Sequence, residues 1–302
     1  MINVTFLGCG GGMPMPNRFL SSVVLNYNGQ KILIDCGEGT QVAIRKNHIG
    51  FKDISHICLT HLHGDHIFGL PGLLKTIGNS GRVEKMTIIG PKGITEFINA
   101  IMFIIEDIPY KLEVIENPKD EIFIGDNAKL SITELEHSKK CIGFKFYFYR
   151  RAKFEVQKAV ENNVPKVLWG KLQKENEEIE YQGNKYTRDM VLGEERKGIN
   201  IIYIGDTRGV ESIIPFSSES DLFICEGTYG DDADIDKAIK NKHMTFREAA
   251  TLAKQANVKK LILTHYSTAM NNPFEYIMNA SEVFANTELA EDGYRLELNF
   301  EY

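Results

Sequence analysis

The stretch Thr60-His61-Leu62-His63-Gly64-Asp65-His66 decides which fold and which chemistry this chain can have. It places three of the chain's eight histidines and an aspartate between positions 61 and 66. Imidazole nitrogen and carboxylate oxygen are ligands that zinc prefers. His61 and His63 can leave the end of a strand on the same side and share one ion, whereas Asp65 and His66 follow at the next turn. The stretch therefore predicts a site for two neighbouring metal ions.

The segment HLHGDH resembles the H-x-H-x-D-H signature of the metallo-β-lactamase superfamily. The resemblance implies an α/β fold, a four-layer αββα sandwich, with more metal ligands at scattered downstream positions. His137 in LEHSKKCIGF resembles the third histidine of the first metal, Asp206 in YIGDTR the bridging aspartate, and His265 in LILTHYS the last histidine of the second metal.

The implied cofactor is a pair of Zn²⁺ ions per subunit. Manganese and iron are alternatives, because sites built from histidine and aspartate also accept them. The implied ligands of the first ion are His61, His63 and His137, those of the second are Asp65, His66 and His265, and Asp206 bridges the two with a water.

Within that superfamily the chain resembles the ribonuclease Z family over nearly its whole length. The segments that carry this resemblance are FLGCGGGMPMPNRFLSS, ILIDCGEGTQ and HLHGDHIFGLPGLL. CEGT around Glu226 and HMT around His243 resemble paired loops that assist proton transfer in that family. The resemblance implies that His243 is the general acid, that Glu226 holds it, and that Asp65 orients the attacking water as well as binding metal.

The activity implied by this resemblance is that of an endoribonuclease. Such an enzyme removes the 3′ trailer from precursor tRNA by hydroxide attack on a phosphodiester and leaves a 3′-hydroxyl. The same resemblance implies a homodimer. Two other interpretations are a hydrolase of the same fold that acts on a small phosphodiester, sulfate ester or lactone, and a non-catalytic RNA-binding relative. A relative without activity would have lost ligands, and none is missing.

The segment from Arg150 to about Arg196 interrupts the alternation of strands and helices. Its first half is rich in lysine and arginine, its second half is acidic, and KAVENNVPKVLWGKL resembles the arm with which the family grips tRNA. We therefore expect one domain over 1–302 with a protruding tRNA-binding arm inserted at 152–193. A solvated charged face without a partner is the alternative. The candidate RNA contacts are Lys158, Lys166, Trp169 and Lys171.

Short apolar runs bounded by glycine, aspartate or asparagine predict the strands. The predicted strands are 2–7, 22–27, 31–34, 56–60, 86–89, 129–135, 143–149, 200–204, 222–225 and 260–264, and the predicted helices are 39–46, 95–104, 246–256 and 274–284. Thr245 and Glu248 form a T-x-x-E capping box, which places His243 in the loop just ahead of a helix.

The composition limits which binding partners and which cell compartment we expect for this protein. The chain has 302 residues and a net charge of −6, so any RNA binding must depend on a local basic patch. Five scattered cysteines without a CxxC pair indicate buried thiols in a reducing compartment, and we expect a cytoplasmic protein. No run approaches the roughly 18 apolar residues that a membrane span needs, so we expect no membrane association.

Overall fold

The computed structural model describes residues 1–125, 128–150, 152–174 and 178–301. The chain forms two compact units, of which the first comprises Met1–Tyr147 and Asn200–Asn299. The second comprises Phe148–Ile199 and the chain end from Phe300. The arm expected at 152–193 lies within the second unit, and its residues 175–177 are outside the described part of the chain.

Strands alternate with helices along most of the chain. The strands are β1 Ile2–Gly8, β2 Ser22–Tyr27, β3 Gln30–Ile34, β4 Ile54–Cys58, β5 Met86–Gly90, β6 Leu112–Glu116, β7 Ile122–Ile124, β8 Ala128–Leu135, β9 Cys141–Arg150, β10 Ile179–Tyr181, β11 Asn184–Tyr186, β12 Arg196–Ile204, β13 Leu222–Glu226, β14 Leu261–Thr264, β15 Thr287–Leu289 and β16 Arg295–Leu298. The α-helices are α1 Thr40–Lys46, α2 Gly64–Ile67, α3 Leu70–Asn79, α4 Ile94–Ile105, α5 Val156–Glu161, α6 Lys166–Leu172, α7 Ile213–Ser217, α8 Ile235–Asn241, α9 Phe246–Gln255 and α10 Ile277–Ser281.

The first large sheet has seven strands in the order β16-β1-β2-β3-β4-β5-β6. Its pairs from β16 to β3 are antiparallel, and those from β3 to β6 are parallel. Helices α1, α3 and α4 cover one face, because their apolar residues share a core cluster with this sheet. In α3 the buried positions Leu70, Leu73, Leu74 and Ile77 have the spacing of one helix face.

The second large sheet has seven strands in the order β15-β14-β13-β12-β9-β8-β7. Strands β12, β13, β14 and β15 are parallel, so their carboxyl ends lie at the same edge. Helix α9 packs against β13 and β14. The capping box predicted from Thr245 and Glu248 is present at its start, with both reciprocal hydrogen bonds. The α/β architecture expected from the sequence is confirmed, with two large sheets and helices packed on them.

The second unit has a small core of its own. Buried Ala159, Leu168, Leu172 and Val191 form its centre, and Trp169 packs against them. Helices α5 and α6 and the hairpin β10-β11 belong to this unit. The backbone N–H of Gly193 donates to the carbonyl of Lys153 at 2.9 Å, so the two ends of the segment lie side by side.

Each of the predicted strands is present, with ends displaced by a few residues. The strand predicted at 56–60 ends at Cys58, and the single helix predicted at 274–284 is a 3₁₀ turn, Pro273–Tyr276, followed by α10. Helix α3 was not predicted from the sequence. Its apolar residues have helical spacing, but glycines and a proline in the same segment argued against a helix. Strand β6, whose residues are all only half-buried, was also missed. None of the described helices is long and apolar enough to cross a membrane.

Candidate metal and catalytic site

Loops at the ends of several strands carry the predicted site residues. The His61–His66 turn follows β4, and Asp206 and His265 follow β12 and β14. Glu226 is the last residue of β13. Because β12, β13 and β14 are parallel neighbours, their ends bring Asp206, Glu226 and His265 together from distant parts of the sequence.

One group of ligand atoms belongs to His61, His63, His137 and Asp206, all within 4.8 Å of one another. His61 Nε2 lies 2.9 Å from His63 Nδ1, which lies 3.2 Å from His137 Nε2. Asp206 Oδ2 is 3.5 Å from His61 Nε2. The structure therefore brings the three histidines expected for the first ion to one point.

A second group belongs to Asp65, His66, Asp206 and His265, again with ligand atoms within 4.8 Å. His66 Nε2 lies 3.2 Å from His265 Nε2, which is 3.1 Å from Asp206 Oδ1 and 3.4 Å from Asp65 Oδ2. Asp206 belongs to both groups, with one carboxylate oxygen towards each. This is the arrangement expected of a bridging aspartate.

The histidines are oriented as metal ligands are. His66 Nδ1 donates to Asp35 Oδ2 at 2.8 Å, and His137 Nδ1 donates to the carbonyl of Lys242 at 3.0 Å. These bonds leave the lone pair of each ring on Nε2, which points into the cluster. Lone pairs that converge at about 3 Å repel one another unless a cation lies between them. The donor set therefore fits divalent metal ions.

Burial and charge also favour a cation. Burial lowers the pKa of His61, His63 and His137, so these rings are held in the neutral form that binds metal. Burial alone would raise the pKa of Asp206, but positive charge beside this carboxylate outweighs burial and holds the pKa well below the ordinary value. Asp206 is only 2% exposed, and its Oδ1 has no hydrogen-bond donor within the described chain. A buried carboxylate in this state needs a positive partner.

Glu226 and His243 form a pair beside the second group. His243 Nδ1 lies 3.0 Å from Glu226 Oε1, and Glu226 is completely buried. Burial disfavours the charged imidazole, but the carboxylate charge and hydrogen bond outweigh it and raise the pKa of His243 to about 9. The His243 ring stacks on His265 with 5.5 Å between ring centroids. The pair can therefore hold a proton next to the metal ligands.

A cleft of about 480 Å³ opens over these groups. Its wall includes Gly11, Gly12, His63, Asp65, His137, Ser138, Asp206, Thr228, Tyr229, Lys240, Asn241, Lys242, His243, His265, Ser267 and Thr268. The cleft gives a substrate access to both ligand groups and to His243. The glycine-rich start of the chain, with Gly11 and Gly12, borders this cleft.

Sequence reasoning missed Asp35 as a supporting residue. Asp35 is completely buried, and besides His66 it accepts hydrogen bonds from the backbone and hydroxyl of Thr60 at 2.8 and 3.0 Å. It also has a left-handed backbone, with φ of 56°, as does His265 with 62°. Non-glycine residues in this region often mark functional sites. Asp35 lies in ILIDCGEGTQ, one of the segments that carry the family resemblance. The sequence alone did not identify a partner for this residue.

Thr228 and Gly12 were missed in the same way. The Thr228 hydroxyl donates to Glu226 Oε2 at 2.6 Å and lies 3.0 Å from His265 Nδ1. The backbone N–H of Gly12 donates to Asp65 Oδ2 at 2.6 Å. These bonds orient residues that the sequence identified only as ligands or proton carriers.

The four candidate RNA contacts of the second unit differ in their surroundings. Lys158 Nζ donates to the carbonyl of Leu192 at 2.7 Å, and Trp169 Nε1 donates to the carbonyl of Val164 at 2.9 Å. Lys166 and Lys171 are exposed, and the Lys166 ammonium lies 5.9 Å from the Trp169 ring centroid. Lys166 and Lys171 are thus the more accessible of the four, whereas Lys158 and Trp169 also stabilise the unit itself.

Known proteins are similar to this chain in sequence. A family model described as "Anti-Pycsar protein Apyc1" matches residues 2–101. The chain is 59% identical to ribonuclease Z of Clostridium beijerinckii, with 99% of each chain covered, and 56% identical to ribonuclease Z of Clostridioides difficile, with 100% of each covered.

Solved structures show the same fold. The human tRNase Z short form has a TM-score of 0.71 at 29% identity, with 99% of this chain and 100% of that chain covered. The Bacillus subtilis metallo-β-lactamase fold protein YhfI has a TM-score of 0.72 at 19% identity, with 98% and 100% covered, which shows the fold alone. The fold is therefore that of the metallo-β-lactamases, and with relatives this similar over its full length the chain belongs to the ribonuclease Z family.

Proposed function

We propose that this protein is the endoribonuclease that removes the 3′ trailer from precursor tRNA and leaves a 3′-hydroxyl. Two observations carry this proposal. Full-length relatives that are 59% and 56% identical are named ribonuclease Z, and in this chain the residues expected for that chemistry converge on one cleft. The likeness to human tRNase Z supports tRNA as the substrate.

The metals of this proposal are two zinc ions, with manganese or iron as substitutes. His61, His63 and His137 would hold one ion, Asp65, His66 and His265 the other, and Asp206 would lie between them. Two such ions, when bound, lower the pKa of a water and neutralise charge on the phosphate oxygens. The donor set of imidazole and carboxylate supports zinc, and the two groups with a shared aspartate support a pair.

In this proposal His243 and Glu226 supply a proton to the leaving group, and Asp65 orients the attacking water. The leaving 3′ oxygen needs a proton, and His243 Nε2 has no hydrogen-bond partner among the described residues, so it is available to donate one. Glu226 fixes the ring through Nδ1 and favours its protonated form. Asp65, whose Oδ2 is held by the Gly12 N–H, orients the attacking water.

The arm proposed at 152–193 would bind tRNA through phosphate contacts, which recognise shape and not sequence. Lys166 and Lys171 are its exposed cations, and Lys158 and Trp169 are the other two proposed contacts. A homodimer is part of the same proposal. It is supported by large apolar side chains on the surface of the first unit, such as Phe68 and Phe103, which are 68% and 88% exposed.

We place the enzyme in the cytoplasm. All five cysteines are free and buried, as expected of a protein kept in a reducing compartment. A precursor tRNA substrate agrees with this location. Fractionation of cells followed by detection of the protein tests the location, and sedimentation equilibrium of the purified protein tests the dimer.

The central experiment incubates purified, zinc-loaded protein with a precursor tRNA that carries a 3′ trailer. We expect one cut, with a 3′-hydroxyl on the tRNA and a 5′-phosphate on the trailer. The matched control is the same protein after treatment with a chelator, and then after zinc is restored. Intact precursor together with rapid hydrolysis of bis(p-nitrophenyl) phosphate would instead assign the chain to small phosphodiesters.

A further inference from the structure

Two turns, together with the end of helix α8, carry four lysines beside the cleft. The turn after β8 contains Ser138, Lys139 and Lys140, and the turn after α8 contains Lys242 and His243, with Lys240 in the last turn of that helix. His137 Nδ1 donates to the carbonyl of Lys242 at 3.0 Å, which joins the two turns directly. We call Lys139, Lys140, Lys240 and Lys242 the lysine rim, because Lys240 and Lys242 line the cleft and the exposed Lys139 and Lys140 directly follow Ser138, which also lines it.

Most lysines of this rim have no carboxylate within ion-pair distance among the described residues. Lys139, Lys140 and Lys240 are exposed, and among the described residues none of their ammonium groups lies within ion-pair distance of a carboxylate. Lys242 is the exception, since its Nζ lies 3.6 Å from Glu136 Oε1. A concentration of positive charge beside the cleft stands out on a chain with a net charge of −6.

The chemistry decides which part of an RNA this rim faces. Cleavage that leaves a 3′-hydroxyl makes the 3′ oxygen of the tRNA the leaving group, and His243 is the residue placed to protonate it. His243 belongs to the second of the two turns, so the nucleotides on the 5′ side of the cut must approach the cleft from this side. The trailer then lies over the rest of the cleft wall, where Gly12, Ser267 and Thr268 are uncharged and Arg18 Nη1 donates to the Ser267 carbonyl at 3.5 Å.

We infer that Lys139, Lys140 and Lys240 bind the phosphates of the tRNA acceptor strand immediately before the cleavage site. This inference rests on the proposed function and adds to it a phosphate-binding surface in the first unit, separate from the arm. The contacts are electrostatic, so they should depend on salt and not on sequence. Their role is to hold the tRNA side of the substrate while His243 reaches the 3′ oxygen.

The test compares two double variants of the whole, zinc-loaded protein. The test variant is Lys140→Gln with Lys240→Gln. The control is Lys52→Gln with Lys111→Gln, which removes the same charge from residues just before β4 and β6. Because β4, β5 and β6 are parallel, those lysines lie at the edge opposite to the His61–His66 turn. All four side chains are exposed, so each protein should fold, and its melting temperature checks this.

We expect the test variant to raise KM for precursor tRNA on the order of tenfold at moderate salt. The slope of log KM against log salt concentration should become shallower by about 1 for each lysine removed. The binding of mature tRNA, which has no trailer, should weaken by the same factor, whereas the control variant should match the wild type in all three measurements.

The outcomes separate this inference from the function on which it rests. If the wild-type protein does not cut the precursor, the proposed function fails. If the wild type cuts normally and the test variant keeps the wild-type KM and salt slope, only the lysine rim is excluded. A KM increase that disappears when the trailer is shortened, with unchanged binding of mature tRNA, would assign the rim to the trailer and overturn the inference.

Discussion

His66 Nδ1 donates a hydrogen bond to Asp35 Oδ2 at 2.8 Å, and both side chains are almost completely excluded from solvent. The two residues are 31 positions apart, one directly after β3 and one in α2. This bond leaves the lone pair of His66 on Nε2, towards His265 and Asp206. Asp35 therefore orients a predicted metal ligand without being one.

Replacing Asp35 with asparagine should weaken metal binding by roughly 10- to 100-fold, because outer carboxylates orient and strengthen histidine ligands. Competition with a coloured chelator measures this affinity directly. Asp53→Asn is the control, since Asp53 is an exposed carboxylate that pairs with Lys31. Unchanged affinity in the Asp35 variant would mean that the His66 ring is held by its packing alone.

Asp206→Ala should cost both metal and activity, because this carboxylate lies in both ligand groups. We expect elemental analysis after dialysis to find less than the wild-type zinc content, with turnover reduced accordingly. Asp236→Ala, at an exposed position in α8, should retain both. Full zinc retention after the loss of Asp206 would rule out a bridging role for it.

His243→Ala should lower turnover by on the order of a hundredfold or more and leave the metal content unchanged, because the ring acts on the leaving group and is not a ligand in this proposal. Single-turnover cleavage of precursor tRNA and elemental analysis are the two measurements. His48→Asn, at an exposed histidine with φ of 56°, is the control. Wild-type turnover without the His243 imidazole would remove this residue from the mechanism.

Deleting 152–193 should abolish cleavage of precursor tRNA and spare hydrolysis of bis(p-nitrophenyl) phosphate. The deletion is feasible because Gly193 N–H donates to the carbonyl of Lys153, so a short glycine linker can join the remaining ends. Each unit also has its own apolar core. Measuring both substrates with the same preparation separates tRNA binding from folding, since equal loss of both activities would show that the arm is structural.

Much of the fold was visible in the sequence because buried strands need continuous apolar runs. Strands such as β5 and β13, in which every residue is buried, were predicted with nearly correct ends. Strands β6 and β16 were missed because partly exposed strands mix polar and apolar residues and give a weak pattern. Helix α3 was missed for a different reason. Glycines and a proline in the segment outweighed the helical spacing of its apolar residues, which are buried in the folded protein.

The sequence by itself determined the chemical type of the metal ligands. Three histidines and an aspartate lie between positions 61 and 66, and they are neighbours however the rest of the chain folds. The sequence also placed His243 ahead of α9, because a capping box is local. Only the tertiary structure decided that Asp35 holds His66, that the Gly12 N–H holds Asp65, and that Lys240 and Lys242 line the same cleft as Ser138. These relationships join residues far apart along the chain, and they exist only because parallel strands end at a common edge and buried polar groups must find partners there.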